Sequence, residues 1–345
     1  MKRRICFILR KHGDSPSIER VFDCVSRELI RQGFEVLVTT LPYGNSFAGL
    51  LANLLFFRPP EANIFHITGH VHYIALALNP DRTVLTVHDF GILRSRRKLR
   101  RYVIKKLFFD WPLRRLKYIT SVSEATLNEA IAISHCDQKK IRVIENPLCD
   151  DVLPMAPTEF NAEKPLLLQI GTAPHKNVEK VIDAIGDINC RLLIIGNLDD
   201  QLRTKLERSK IQYENLPSAT QLEIESAYRN CDIVVFCSTF EGFGLPIIEA
   251  QSMRKPLITS NIPPMNDVAG SGALLVDPSD PEQIREAILR LIADKPLRDS
   301  LVENGLRNTK RFDRATIAAK YRSLYEEILQ GQTTLGARDT TTKTT

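Results

Sequence analysis

Residues 231–253, "CDIVVFCSTFEGFGLPIIEAQSM", run from an apolar, β-branched strand through a glycine-bearing turn into a helix that Pro246 opens. Proline suits the first helical turn, where its missing N–H would have no partner in any case. A helix start preceded by Gly242 and Gly244 leaves N–H groups and a partial positive charge available to a phosphate. Glu249 follows about one turn in, and Glu241 lies in the turn itself, so two carboxylates flank one anion hole. Beside a phosphate, a carboxylate serves as a bidentate acceptor for vicinal hydroxyls: Glu249 for a ribose, Glu241 for a hexose. On spacing alone, a capped surface helix with glutamate in its first turn accounts for the segment equally well.

Working outward, the same strand, turn and helix rhythm fills the chain. "RRICFIL", "FEVLVTT", "NIFHIT", "RTVLTVH", "YITSVS" and "IRVIE" are strand-like, with amphipathic stretches such as "SIERVFDCVSRELIRQ" between them. The rhythm breaks at the proline-rich "NPLCDDVLPMAPTEFNAEKP" and resumes with "LLLQIGT", "RLLIIGN", "IQYENL", "DIVVFCS", "PLITS" and "ALLVD". Alternating β and α segments imply an α/β fold, with parallel sheets wound on both faces. The expected division is a first domain over 1–155 and a second over 156–312, joined by a linker near 148–163. A C-terminal helix is expected over 313–330, with Ile317, Tyr321, Leu324, Tyr325 and Ile328 on one face, and a disordered low-complexity tail over 331–345. Ligands of open α/β sheets bind beyond the carboxyl ends of the strands, so two such domains predict a cleft lined by strand-to-helix loops.

Composition narrows the class. A chain of 345 residues, 43% hydrophobic and 26% charged, is globular and long enough for two cores. Its longest apolar runs, such as "LLANLLFF", fall short of the roughly 18 residues a membrane span needs. The apolar run after the basic start ends at Arg10 and Lys11, too soon for a secretory signal, so a cytoplasmic location is expected. Seven scattered cysteines without C-x-x-C spacing read as buried thiols, with neither disulfides nor metal. Charge is uneven: residues 1–158 hold 24 Lys+Arg against 15 Asp+Glu, so the first half seeks anions.

Other loops add candidates. In "LLLQIGTAPHKNVEKVIDAI", Lys176 stands near a helix start after the Gly171-Thr172 turn, where an ammonium can neutralise a departing diphosphate. In "TVLTVHDFG", His88 closes a strand; by itself it reads as a satisfied histidine with Asp89 capping the next helix. "FHITGHVHY" supplies His66, His70 and His72, which lack the adjacent carboxylate a metal site would need. His66 is assigned to the core, and His70 and His72 to the cleft wall facing an acceptor. In "RKHGDSPSIER", Ser15-Pro16 reads as a helix start with Arg20 one turn in.

"FEGFGLPIIEA" resembles the E-x7-E signature of family four of the glycosyltransferases, which are retaining enzymes with the GT-B fold. "IGTAPHKN", "VHD", "SVSEAT" and "DVAGSGALLVDPSD" follow that family's order across nearly the whole chain. The resemblance implies two Rossmann-like doubly wound domains facing a central cleft. It also implies that Glu249 binds the nucleotide ribose, Glu241 the donor sugar, and the backbone of Phe243, Gly244 and Leu245 the diphosphate. His88 is placed near the donor sugar. The family's arginine after the glycine and its basic residue before the lysine are here Thr172 and His175, which leaves Lys176 the principal cation of a donor site that includes Gly171. Where the family ends the E-x7-E helix with glycine, this chain has Arg254, and a left-handed residue there would cost about 1 kcal/mol.

The expectation is a retaining transfer from a nucleoside diphosphate sugar to a hydroxyl of a glycan or lipid-linked glycan. The catalytic residues would be His88, Lys176 and Glu241, with His70, His72 and Arg20 on the acceptor side. No D-x-D motif is present, so no metal or other cofactor is expected. A GT-B nucleotide-sugar epimerase is the alternative, followed by a basic nucleic-acid-binding protein; no groove-reading module supports nucleic acid as a partner. A dehydrogenase lacks its G-x-G-x-x-G. The basic stretch from Arg94 to Lys117 holds 11 Lys+Arg against Asp110 alone. Its helical projection puts Leu99, Val103, Ile104, Leu107, Phe108 and Trp111 on one side and Arg101, Lys105 and Lys106 on the other, with Pro112 ending the run. It reads either as an ordinary helix buried on its sheet or, with exposed aromatics near Phe109 and Trp111, as a peripheral contact with an anionic membrane.

Overall fold

All twelve strand-like segments are strands. The computed structural model describes residues 3–11, 17–44, 46–94, 98–149 and 159–341, with side chains to residue 331. The Ser15-Pro16 helix start and residues 150–158 of the expected linker lie outside the described residues. The first sheet comprises β1 (Arg4–Leu9), β2 (Glu35–Thr40), β3 (Ile64–Ile67), β4 (Thr83–Val87), β5 (Tyr118–Ser121) and β6 (Ile141–Val143), in the order β2-β1-β3-β4-β5-β6. The second comprises β7 (Leu166–Ile170), β8 (Arg191–Ile195), β9 (Gln212–Leu216), β10 (Ile233–Phe236), β11 (Leu257–Ser260) and β12 (Leu274–Val276), in the order β12-β11-β10-β7-β8-β9. Every pairing is parallel. Central strands such as β4 and β10 are buried along their whole length, which is why they read as unbroken apolar runs.

In the first half the helices are α1 (Ser17–Arg31), α2 (Phe47–Phe56), α3 (Lys98–Ile104), α4 (Trp111–Arg115) and α5 (Glu124–Ser134). The second half adds α6 (Val178–Ile185), α7 (Asp200–Ser209), α8 (Gln221–Asn230), α9 (Leu245–Ser252), α10 (Met265–Ala269), α11 (Pro281–Ala293) and α12 (Lys295–Thr309), and α13 (Arg314–Thr341) closes the chain. Starts are fixed by side-chain caps: Ser123 accepts from Thr126 N–H, and Thr220 and Glu223 form a reciprocal capping box. Arg254, after α9, has φ +57°, the left-handed position where glycine was expected.

The chain divides into two units, one of Met1–Cys149 with Asp313–Thr345 and one of Asp150–Phe312. The last helix is therefore part of the first unit. Its Ile317, Tyr321, Leu324, Tyr325 and Ile328 are all buried there, and Tyr325 hydroxyl lies 2.7 Å from Nδ1 of His66. Where a disordered tail was expected from residue 331, α13 runs on to Thr341.

The basic stretch also departs from expectation. Instead of one helix it is α3, a π-helical turn over Lys105–Asp110, and then α4, in whose first turn Pro112 sits rather than at its end. The wider turn carries Phe108, Phe109 and Asp110 inward, so Phe109 is buried, while Trp111 is half exposed. Leu99 and Val103, assigned to the apolar side, are exposed, Leu99 by 77%.

Candidate active site

In the second unit the strand order reverses beside β7, and the loops after β7 and β10 meet at that switch point. They bring together Gly171, Thr172, His175 and Lys176 from one side and Glu241 to Leu245 from the other. Lys176 Nζ lies 2.6 Å from Glu241 Oε1 and 4.7 Å from the centre of the Phe236 ring, with both charged side chains mostly buried. Gly171 has φ +84°, and a Cβ there would lie 3.0 Å from Cγ and Cε of Lys176, so glycine is what lets the lysine stem cross the turn. Thr172 hydroxyl donates to Asn197 carbonyl at 2.6 Å. The His175 carbonyl accepts from Thr239 N–H at 2.8 Å, which ties one loop to the other.

Gly244, with φ +100°, caps α9. Pro246 has no N–H, and Ile247 N–H turns back to Gly244 carbonyl at 2.9 Å. The N–H groups of Phe243, Gly244 and Leu245 have no hydrogen-bond partner among the described residues. Three main-chain donors at a helix start are the elements of an anion site. Glu249, nine-tenths buried, accepts a 2.7 Å hydrogen bond from the Tyr228 hydroxyl.

Sequence reasoning missed the side chains that hold these loops. Gln169, buried in β7, donates to the carbonyls of Gly171 and Lys176 at 3.2 and 3.3 Å, and its amide inside "LLLQI" was the available signal. Asn177, at φ +62°, donates to Cys237 and Pro278 carbonyls at 3.0 and 2.6 Å. Nothing in the sequence marked Tyr228.

The remaining candidates lie in the first unit. His88 is buried and its Nε2 is 2.8 Å from Thr68 carbonyl, so Nε2 carries the proton and Nδ1 the lone pair. Burial, with the neighbouring His70 ring, lowers its pKa to about 4, and the ring is neutral at physiological pH. His66 is in the core as expected, bonded to Tyr325 and Thr86, and burial lowers it to about 3. His72 does not line a surface: it is 1% exposed, with Nδ1 donating to Phe108 carbonyl at 2.9 Å, because the segment after Gly69 folds into a 3-10 turn over His72–Ala77. His70 stays partly exposed, with Nε2 3.6 Å from Asp89 Oδ2. Arg20 is half-buried on α1. Among the described residues no group of three His, Cys, Asp or Glu could hold a metal ion, and all seven cysteines are free.

Residues 155–308 match the family model of the glycosyl transferases group 1. That match covers less than half of the chain and marks residues 155–308 as similar to the group 1 glycosyl transferases. An uncharacterized glycosyltransferase of Methanocaldococcus jannaschii is 32% identical over 163 residues, 45% of this chain and 46% of that protein. The O-antigen chain mannosyltransferase B of Escherichia coli is 28% identical over 258 residues, 67% of each. The matched stretch thus spans about half the length of the first relative and two thirds of the second. The structure of Anabaena HepE in complex with UDP and glucose covers 94% of this chain and all of its own at a TM-score of 0.72 and 17% identity. The architecture is GT-B, with a parallel six-stranded sheet in each of two Rossmann-like units. These matches lend the epimerase reading no support.

Proposed function

We propose that this chain is a retaining glycosyltransferase that moves a sugar from a nucleoside diphosphate sugar to a hydroxyl of a glycan or lipid-linked glycan. The observation that carries the reading is the set of unpartnered N–H groups of Phe243, Gly244 and Leu245, on the same turn as the Lys176–Glu241 pair. The mannosyltransferase relative and the solved HepE complex with UDP and glucose support it. The donor site comprises Gly171, Thr172, His175, Lys176, Glu241, Phe243, Gly244, Leu245 and Glu249. Main-chain donors hold the diphosphate, Glu249 takes the ribose hydroxyls, and Lys176 exchanges its carboxylate partner for the diphosphate, which frees Glu241 to accept from the sugar.

Transfer then proceeds on one face. The bond from the anomeric carbon to the diphosphate oxygen breaks, the acceptor oxygen bonds to that carbon, and the acceptor proton passes to the departing oxygen. Lys176 stabilises charge growing on the leaving group. A neutral His88 does not oppose positive charge at the anomeric carbon. His70 and Arg20 remain on the acceptor side of the proposal; the buried His72 does not.

The counter-charges belong to the chain, and no metal is required. Activity is therefore expected to survive EDTA, while Lys176→Ala lowers turnover by about 100-fold. Steady-state assays with donor and acceptor decide: inhibition by chelator reversed by magnesium, or near-normal turnover in the lysine variant, would overturn this account. The exposed Leu99, Tyr102 and Trp111 among the basic residues of Arg94 to Lys117 favour a peripheral contact with an anionic membrane. No helix among the described residues is long and apolar enough to cross one.

A further inference from the structure

The first unit has a cavity of about 730 Å³ at the carboxyl ends of its strands, within the size range of ligand pockets. Arg10 follows β1, His70 follows β3 and Asp89 follows β4, and all three reach its wall. Most of the remaining wall is apolar: Phe47 and Leu50 from α2, Val103 from α3, and Leu107 and Phe108 from the π-helical turn. A sugar site presents hydrogen-bonding groups around its wall, whereas this one presents hydrocarbon and gathers its charge in a few places.

Two of those charges are arginines. Arg10 is held by Glu19, with Nε 3.0 Å from the carboxylate oxygen. Arg100 is exposed and has no carboxylate partner among the described residues. Phe47 and Leu99, also on the wall, are 69% and 77% exposed, which water disfavours and an apolar ligand would relieve. The π-helical turn builds this wall. Buried Asp110 binds Lys105 and Lys106 at 3.0 and 2.8 Å, which fixes the turn that presents Leu107 and Phe108.

We infer that this cavity receives the apolar chain of a phosphorylated lipid, with the phosphate on Arg100 and Arg10, and that the acceptor of the reaction carries such a chain. This rests on the glycosyl-transfer reading and names the acceptor class within it. One occupant satisfies both the hydrocarbon wall and the two guanidinium groups.

Calorimetry on the full chain with decyl phosphate, below the concentration at which it forms micelles, tests the inference. Decyl phosphate is expected to bind, and inorganic phosphate and decanol to bind at least about tenfold more weakly. Val103→Glu places a carboxylate in the apolar wall and should weaken decyl phosphate by about tenfold or more. Arg100→Ala, at an exposed position that folding tolerates, should weaken decyl phosphate several-fold and leave decanol unchanged. Leu222→Glu, an exposed leucine of the second unit, should change neither. Wild-type affinity in both cavity variants would overturn the inference. So would a protein that ignores decyl phosphate yet sediments with vesicles of phosphatidylglycerol, since that is attachment to a surface without a filled cavity. Binding of UDP or GDP, measured in parallel, separates the two readings: nucleotide binding without decyl phosphate binding sinks this inference alone, whereas decyl phosphate binding without nucleotide binding sinks the glycosyl-transfer reading and the acceptor role with it, leaving only a lipid-phosphate site.

Discussion

Glu249 is held by a residue of another helix, and its reach depends on that partner. With Tyr228 donating at 2.7 Å, one carboxylate oxygen is engaged and the side chain is fixed one turn into α9. Removing the carboxylate in Glu249→Ala should weaken nucleoside diphosphate binding by about 1.5 to 3 kcal/mol, the scale of a charge-assisted hydrogen bond. Tyr228→Phe keeps the carboxylate and loses only its anchor, so about 0.5 to 1.5 kcal/mol is expected. Calorimetry on both variants checks the order; equal losses would mean that Tyr228 contacts the nucleotide itself. Glu241, Glu249 and Lys176 were legible because each stands in or just past a turn following an apolar strand. Tyr228 and Asn177 were not, since their partners lie 21 to 101 residues away in the chain and no local pattern records such a meeting.

Elements follow the same division between local and distant causes. The parallel strands were legible because burial on both faces leaves a short apolar run, a signal carried by the strand alone. The π-helical turn was not, because it depends on one buried charge. Burial pushes the Asp110 carboxyl up, but the Lys106 and Lys105 ammonium groups outweigh this and hold it below its ordinary range. Its contribution is therefore complete above about pH 4 and is lost as pH falls through the lowered value. Asp110→Asn should destabilise the first unit by about 1 to 3 kcal/mol at neutral pH, and urea unfolding should find the difference vanishing in acid. At the end of α9, Arg254 occupies φ +57°. Arg254→Gly should stabilise by about 0.5 to 1 kcal/mol, read as a raised midpoint in thermal unfolding; an unchanged midpoint would mean that the arginine side chain compensates for its backbone.

For the whole molecule, the most consequential burial is that of three histidines in the first unit. His66 and His72 are lowered to about 3 and His88 to about 4, in each case first by burial. Unfolded, each takes a proton near pH 6.5, so the folded state is fully favoured above that value and loses ground as pH falls. Each ring contributes up to about 1.4 kcal/mol per pH unit over the interval. The urea midpoint is expected to fall steeply from about pH 7 to about pH 5, and a flat profile would contradict neutral, buried rings.

The amphipathic face of α13 was legible in Ile317, Tyr321, Leu324, Tyr325 and Ile328, because helical spacing alone demands that it be covered. Which sheet covers it was not, since that depends on where the chain returns after residue 312. That return makes the two units unequal in what they need from the end of the chain. Residues 150–312 are contiguous and have all their own strands once synthesised, whereas the first unit still waits for α13. Phe22 and His66 pack against Tyr321 and Tyr325 of α13, so the first unit's core is complete only with that helix in place. A chain cut before α13 would keep every strand of the second unit and leave the first with an open core.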